Sequence, residues 1–285
     1  MTGRKVPDPA PPGSSIAPPP LAAGAPSFVQ GQVARVTELV TQLGAVALLS
    51  ARTARSLFRR PLEIDATIHQ LDALGVESTG IVAVTSIFIG MVMTIQFAFG
   101  LRRFGGVEYI PRVIVLSYLR ELAPTLTAVI VGGRIGSGMA AEVGAMNVTE
   151  QVDAIRALGA DPAKKLVLPR VLASIIAMPV LSLIALALGS LGAMLICATE
   201  YGITPQLFVR TSLETANFAD LWAGLAKTPV FGFIIAIVGC HFGLRTTGGT
   251  EGVGRATTKT VVVVSICILI ADFILTKAFL AIGWS

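Results

Sequence analysis

The chain has 285 residues, of which 53% are apolar and only 14% are charged, and its mean hydropathy is +0.76. Since a soluble domain carries about a quarter charged residues, this composition excludes a soluble globular protein and indicates a polytopic membrane protein. The net charge of +5 does not predict a nucleic-acid partner, because the basic residues stand beside apolar segments, where they set the membrane orientation.

The first 30 residues are predicted to form a disordered tail. Residues 1–26 are rich in proline, alanine and glycine and lack the apolar stretch of a cleavable signal peptide. Such a segment cannot bury enough apolar surface to offset the entropy lost on ordering. Residues 31–60 have apolar side chains at helical spacing and a basic end, which predicts an interfacial helix or, alternatively, a short cytosolic helix. Residues 64–77 are predicted to form another short helix.

Five later segments are long and apolar enough to cross a bilayer, which requires about 20 residues. Lysine and arginine collect before the first segment, between the second and third, and between the fourth and fifth. This distribution places the N-terminus in the cytoplasm and the C-terminus on the outer side of the membrane. We therefore expect an all-α membrane domain over residues 31–285. Its five spans cover about residues 79–101, 113–141, 167–199, 221–244 and 260–282.

A polar helix is predicted between the second and third spans, over residues 147–160. Asn147 is expected to cap its start with Glu150 completing a capping box, and Gly159 and Pro162 are expected to end it. A membrane helix that continues into a short polar helix suits a transporter that receives motion from a water-soluble motor protein. The alternative is an ordinary amphipathic connector on the membrane surface.

Ionisable residues within the spans are candidates for function, because burying a charge in the membrane is costly. Arg120 and Glu121 lie near the outer end of the second span. Two interpretations are open. In the first, these residues pair with each other or with a neighbouring helix and have a structural role. In the second, Glu121 faces a central cavity close to a lipid headgroup. Asp272 in the fifth span is expected to pair with Arg134 or Lys277.

No catalytic or metal-binding constellation is predicted, so the chain is not expected to be an enzyme. The glycine-rich stretch at residues 249–256 fails as a phosphate-binding loop. Arg255 stands where the lysine is needed, and Ala256 stands where the magnesium-binding hydroxyl is needed. We therefore expect this chain to bind no cofactor itself.

Several short motifs follow one another between residues 35 and 283. They are FIGMV at 88–92, LRELAP at 119–124, GR at 133–134, AEVGAM at 141–146, VTEQVDA at 148–154, DP at 161–162 and RATTKTVV at 255–262. In this order they resemble the MlaE/YrbE family of ABC-transporter permeases, lipid-transport subunits that work with MCE-domain proteins.

The resemblance implies the partners, the cargo and the location of the protein. Two copies of the chain would form the transport path, and separate cytoplasmic ATPase subunits would hydrolyse ATP. An MCE-domain protein on the periplasmic face and a small STAS-type subunit are further implied partners. Phospholipid is the implied cargo, moved between a Gram-negative inner membrane and the MCE-domain protein for outer-membrane lipid asymmetry or lipid trafficking. The alternatives are a permease for sterol or another hydrophobic substrate, and an ion-coupled secondary transporter.

Two sets of residues follow as candidate sites. The first set would line the substrate cavity between two copies of the chain, and the second would contact the ATPase. The substrate set is Ile87, Met91, Ile95, Gln96, Phe99, Glu121 and Leu122. The ATPase-coupling set is Glu150, Gln151, Val152, Asp153, Ile155 and Arg156.

Overall fold

The computed structural model describes residues 28–57 and 63–283, which form helices and short connections without any β-strand. The first helix, α1, covers Phe28–Leu57. Its part up to Gly44 belongs to one compact unit, and the chain from Ala45 onward forms a second, much larger unit. Most of the proposed tail, residues 1–27, lies outside the described residues, and so does the end of the predicted interfacial helix.

Five helices of the described chain are long and apolar enough to cross a membrane, which confirms the predicted all-α, five-span architecture. We number them spans 1 to 5. Spans 1 and 2 each contain two α-helices, and α6 and α8 lie in the connections that follow spans 2 and 3. The spans are Ile64–Arg102, Val107–Val148, Ala163–Glu200, Phe218–Leu244 and Gly249–Ile282. Span 1 contains α2 (Ile64–Leu71) and α3 (Glu77–Arg102). Span 2 contains α4 (Ile110–Ser117) and α5 (Thr127–Val148). The remaining helices are α6 (Gln151–Ala157), α7 (Leu168–Glu200), α8 (Pro205–Thr215), α9 (Phe218–Leu244) and α10 (Gly249–Ala281).

Three of the spans contain wider, π-helical turns, two within the span and one at the start of span 3. They cover Asp72–Val76, Tyr118–Leu126 and Ala163–Val167. The first of these joins α2 to α3, so the short helix predicted over 64–77 is not separate but continues into span 1. The second contains Pro124, which cannot donate a backbone hydrogen bond and displaces the preceding carbonyl, so a wider turn keeps the helix continuous.

Close packing of the spans depends on small residues at their contacts. The buried face of α3 repeats mostly small residues at every fourth position and packs against α7. A Cβ atom added at Gly90 would collide with the carbonyl oxygen of Gly189. A Cβ at Gly239 of α9 would lie 2.8 Å from the carbonyl oxygen of Gly136 in α5. These glycines let backbones approach to a distance that larger side chains would prevent.

Successive spans run in opposite directions and so define two ends of the bundle. The α6 end contains α6 and the connection from Arg245 to α10. The opposite end contains the loop that follows Arg102, then α8, and the end of span 5 at Ile282.

Candidate functional site

A buried ion cluster joins spans 2, 4 and 5 around Lys227. Only 2% of the Lys227 side chain is exposed. Its ammonium group donates to Glu121 Oε1 at 2.8 Å, Asp272 Oδ1 at 3.0 Å and Thr276 Oγ1 at 2.8 Å. The carbonyl oxygen of Arg120 lies at 3.2 Å as a fourth acceptor. Two carboxylates thus compensate an ammonium that would be very costly to leave unpaired in a membrane interior.

A second ion pair holds the neighbouring residue of span 2. Arg120 Nε lies 2.9 Å from Asp220 Oδ1, whose side chain is only 7% exposed. Asp220 also accepts from the backbone N–H of Asn217 and completes the capping box at the start of α9. The positive end of that helix favours the carboxylate. Asp220 and Lys227 are two helical turns apart on one face of α9, so they bind the adjacent residues Arg120 and Glu121.

A pocket of about 290 Å³ opens beside this cluster. Glu121 and Arg120 remain partly exposed, at 40% and 29%, and present opposite charges to it. Apolar side chains of spans 2, 4 and 5 line it as well, together with the hydroxyl groups of Ser117 and Thr276. The lining residues are Leu116, Ser117, Arg120, Glu121, Ala223, Lys227, Thr276, Phe279 and Leu280.

The structure separates the two members of the predicted substrate set that lie on span 2. Glu121 lines the pocket beside Lys227. Leu122, the next residue, faces a narrow crevice that is also lined by Thr85 and Ile89 of α3. Adjacent residues of a helix point about 100° apart, so one span presents them to different neighbours.

The predicted apolar stripe of α3 lies away from the core of this chain. Ile87 and Met91 are half-buried, Gln96 is exposed, and Ile95 and Phe99 are 41% and 62% exposed. The buried face of α3 is instead the small-residue face that packs against α7. The stripe is therefore available to lipid or to another protein, and within one chain it does not join Glu121 in the pocket.

Lys227 is the functional candidate that the sequence reasoning missed. The expected partners of Asp272 were wrong, because Asp272 pairs with Lys227. Arg134 instead lies 2.9 Å from Glu77 and donates to Ser78 of span 1 at 2.7 Å. A signal was present: Lys227 is the only Lys, Arg, Asp or Glu between Asp220 and Arg245 in an apolar segment.

The connection between spans 2 and 3 holds a shorter polar helix than predicted. Helix α5 continues to Val148, and α6 covers only Gln151–Ala157. The predicted capping box is absent, because Asn147 lies within α5 and its amide donates to the carbonyl oxygen of Thr246 at 3.0 Å. Glu150 turns the chain with a φ of 61°, in the left-handed region that non-glycine residues rarely adopt. Gly159, with a φ of 76°, ends the turn after α6 as predicted.

The exposed surface of α6 is polar, with one apolar residue at its end. Gln151, Asp153 and Arg156 are exposed, and Arg156 Nη1 lies 2.6 Å from Asp153 Oδ1. Leu158 directly follows α6 and is 85% exposed. Two other members of the coupling set, Val152 and Ile155, are buried and half-buried. Val152 therefore seats α6 on its own chain, and a partner protein would contact the polar side chains.

Two contacts fasten the end of span 2, which directly precedes α6, to the remaining spans. At the end of span 2, Glu142 lies 2.7 Å from Arg170 of span 3. The Arg170 side chain is 5% exposed and also donates to the carbonyl oxygen of Leu166 at 2.7 Å. The Asn147–Thr246 hydrogen bond fastens the same end of span 2 to the connection between spans 4 and 5. Movement of α6 would therefore reach spans 3, 4 and 5 together.

The chain is similar to a defined group of transport proteins. A family model described as Permease MlaE matches residues 67–278. A probable ABC transporter permease protein of Rickettsia felis is 40% identical over 245 residues, which cover 86% of this chain and 95% of the relative. A second one, of Synechocystis, is 44% identical over 210 residues, covering 74% of this chain and 80% of the relative. Protein TRIGALACTOSYLDIACYLGLYCEROL 1, chloroplastic, of Arabidopsis thaliana is 37% identical over 235 residues, covering 82% of this chain and 67% of the relative.

Proposed function

This chain belongs to the MlaE family of ABC-transporter permeases, and from that premise we propose that it carries phospholipid through the membrane. The pocket beside Lys227 is the observation that carries the proposal. It presents a guanidinium at Arg120 and a carboxylate at Glu121 next to apolar side chains such as Phe279. A zwitterionic headgroup offers a phosphate to the first and an ammonium to the second, while acyl chains suit the apolar wall.

One relative adds support for a glycerolipid cargo. The Arabidopsis protein bears the name of trigalactosyldiacylglycerol, a lipid built on diacylglycerol.

The pocket of this chain lies about eight residues, or roughly 12 Å, deeper along span 2 than Arg112 near its start. A polar cluster at that depth would contact the headgroup of a lipid that has moved inward from the membrane surface.

The proposed mechanism requires two copies of the chain. Span 4 is the most enclosed, since 56% of an 18-residue apolar stretch of it is buried, whereas 28% and 11% of the corresponding stretches of spans 1 and 5 are buried. The predicted stripe on α3 adds to this exposed apolar surface. A second copy covering these faces would enclose the pocket and bring the stripe, with Met91 and Ile95, toward the acyl chains of the cargo.

An ABC permease receives its energy from an ATPase partner, and we assign the contact to α6. The exposed Gln151, Asp153 and Arg156 would pair with polar groups in a groove of the ATPase. Leu158 would bury its exposed side chain there, which is worth about 1.5–3 kcal/mol when complete. The Glu142–Arg170 pair would then transmit movement of α6 to the spans.

The remaining assignments follow the family. We propose an MCE-domain protein on the face opposite the α6 end, a small STAS-type subunit on the ATPase, and a location in a bacterial inner membrane. The N-terminus and α6 would face the cytoplasm and the C-terminus the periplasm. Membership of an ABC permease family replaces the alternative of an ion-coupled secondary transporter.

Lipid analysis of the purified complex tests the proposed cargo. The chain is purified with its partner subunits, and the lipids bound to it are identified by mass spectrometry. We expect enriched glycerophospholipid, reduced on the order of tenfold in Glu121→Gln, because a hydrogen bond to a charged group is worth about 1.5–3 kcal/mol.

Glu214→Gln provides the matched control, because Glu214 lies on α8 and, among the described residues, its ion pair is with Arg210 at 2.9 Å. This variant should retain the lipid of the unmodified protein. Enrichment of sterol instead of phospholipid, or equal lipid content in Glu121→Gln and the unmodified chain, would overturn the assignment.

A further inference from the structure

The junction between spans 1 and 2, formed by the end of α3, the loop and the start of α4, displays three arginines, each stacked on an aromatic ring. We call this surface the arginine–aromatic rim. It consists of residues 102–112 together with the rings of α3 and of the residue after α7 that they contact. The pairs are Arg102 with Tyr201 at 5.2 Å, Arg103 with Phe99 at 4.9 Å and Arg112 with Tyr109 at 5.9 Å, measured from guanidinium carbon to ring centroid.

These three guanidinium groups are exposed and belong to no ion pair between described residues. The loop contains one acid, Glu108, so its formal charge is +2. Stacking on a ring occupies the face of a guanidinium and leaves the N–H donors at its edge free for other acceptors. By contrast, Arg210 on α8 at the same end of the bundle is neutralised by Glu214.

The rim lies at the depth of lipid headgroups. Residues 78–101 contain no charged side chain and form about 36 Å of helix, slightly more than the roughly 30 Å hydrocarbon thickness of a bilayer. Arg102 follows directly and therefore reaches the phosphate layer. Two aromatic side chains of the loop, Phe104 and Tyr109, are 88% and 49% exposed. Aromatic rings at a span end are typical of the membrane interface, where they avoid bulk water.

We propose that the arginine–aromatic rim binds the phosphate groups of the surrounding leaflet and selects anionic phospholipids. Phe104 anchors the loop in the upper acyl region, and Arg102, Arg103 and Arg112 donate to phosphates around it. The exposed aromatic rings and the depth set by span 1 favour lipid over an acidic protein. The proposal does not depend on what the transporter carries, because it concerns the lipids that surround the protein.

Fluorescence quenching in nanodiscs tests this surface directly. Phe104→Trp is introduced into a chain carrying Trp222→Phe and Trp284→Phe, and the complex is reconstituted in phosphatidylcholine with a minor fraction of phosphatidylglycerol. Either lipid is brominated on its acyl chains. We expect blue-shifted emission and about fivefold stronger quenching by the brominated anionic lipid than by an equal fraction of brominated phosphatidylcholine. This enrichment corresponds to the attraction of one arginine near an anionic surface.

The controls separate charge from folding. Replacing Arg102, Arg103 and Arg112 together with glutamine should abolish the preference for anionic lipid, whereas Arg210→Gln should keep it. High salt should also remove the preference without any arginine substitution, since exposed charges are screened. Water-like emission at position 104, equal quenching by both lipids, or a preference that survives high salt would overturn the proposal. Equal quenching combined with selective binding of an acidic peptide would assign the rim to a protein instead.

Discussion

Replacing Lys227 with methionine tests whether the ion cluster holds spans 2, 4 and 5 together. Methionine keeps an unbranched side chain of similar length but removes the ammonium group. Oxygen atoms of Glu121 and Asp272 both lie within 3.0 Å of the same Nζ atom. Without that cation, two carboxylates remain in contact with a membrane interior and repel each other.

The expected loss of stability can be estimated from the exposure of each partner. Removing one member of a buried ion pair costs about 3–5 kcal/mol. Asp272 is 16% exposed, but Glu121 is 40% exposed and can be hydrated from the pocket. We therefore expect the lower end of this range, about 3 kcal/mol, which corresponds to a decrease in Tm on the order of 6–12 °C for a unit of this size.

Thermal unfolding of the complex in nanodiscs, followed by size-exclusion chromatography, measures this effect. Lys277→Met is the matched control, because Lys277 is exposed on α10, five residues beyond Asp272. A third variant combines Lys227→Met with Glu121→Gln and Asp272→Asn. It should recover most of the Tm, because no buried charge is left unpaired, but it should not recover lipid transport. An equal Tm for Lys227→Met and Lys277→Met would refute the structural role of the cluster.

Two further substitutions test the contact between spans 2 and 4 and the contact with the ATPase. Gly224→Val should reduce the yield of folded protein, because the new side chain would press against the backbone carbonyl of Leu119. We expect a loss of stability at the upper end of the about 1–3 kcal/mol typical of overpacking. Gly100→Val should not reduce the yield, because the space around Gly100 is open. Size-exclusion yield compares the two. Reversing the charges of Glu150 and Asp153 to lysine should uncouple ATP hydrolysis from lipid transport, and unchanged ATPase co-purification and transport would contradict the role of α6.

The spans were predictable from hydropathy, whereas the ion pairs between residues of different spans were not. A long uncharged run such as residues 78–101 identifies span 1 without knowledge of its neighbours. The partner of Glu121 lies 106 residues away in span 4, and that of Asp272 lies 45 residues away. These contacts depend on how α9 is rotated and how deeply it sits, which its own hydropathy does not determine. The sequence therefore left Arg134 and Lys277 as the expected partners of Asp272 and did not identify Lys227.

The polar helix shows the same limit at a finer scale. Its existence and its end at Gly159 follow from local sequence, but its start depends on a distant contact. Asn147 has the side chain of a helix cap, yet the carbonyl oxygen of Thr246 accepts its amide and α5 continues past it. The turn then falls on Glu150, whose left-handed backbone no capping pattern predicts.

Helix α9 runs between the two ends of the bundle and has a hydrogen-bonded contact near each of its own ends. The helix is continuous over Phe218–Leu244, roughly 40 Å, and Thr246 just beyond it accepts the hydrogen bond from Asn147 beside α6. Near its other end, Lys227 is held by acceptors on both span 2 and span 5. A shift of α9 by about 2 Å along its axis would lengthen a bond that crosses between helices from 2.8 Å to about 3.4 Å, past ordinary hydrogen-bonding distance. Because the bonds lie in a membrane interior, breaking them needs an external source of energy. The ATPase contact proposed at α6 would supply that energy through the Asn147–Thr246 hydrogen bond, which joins the end of span 2 to the residue shortly after α9.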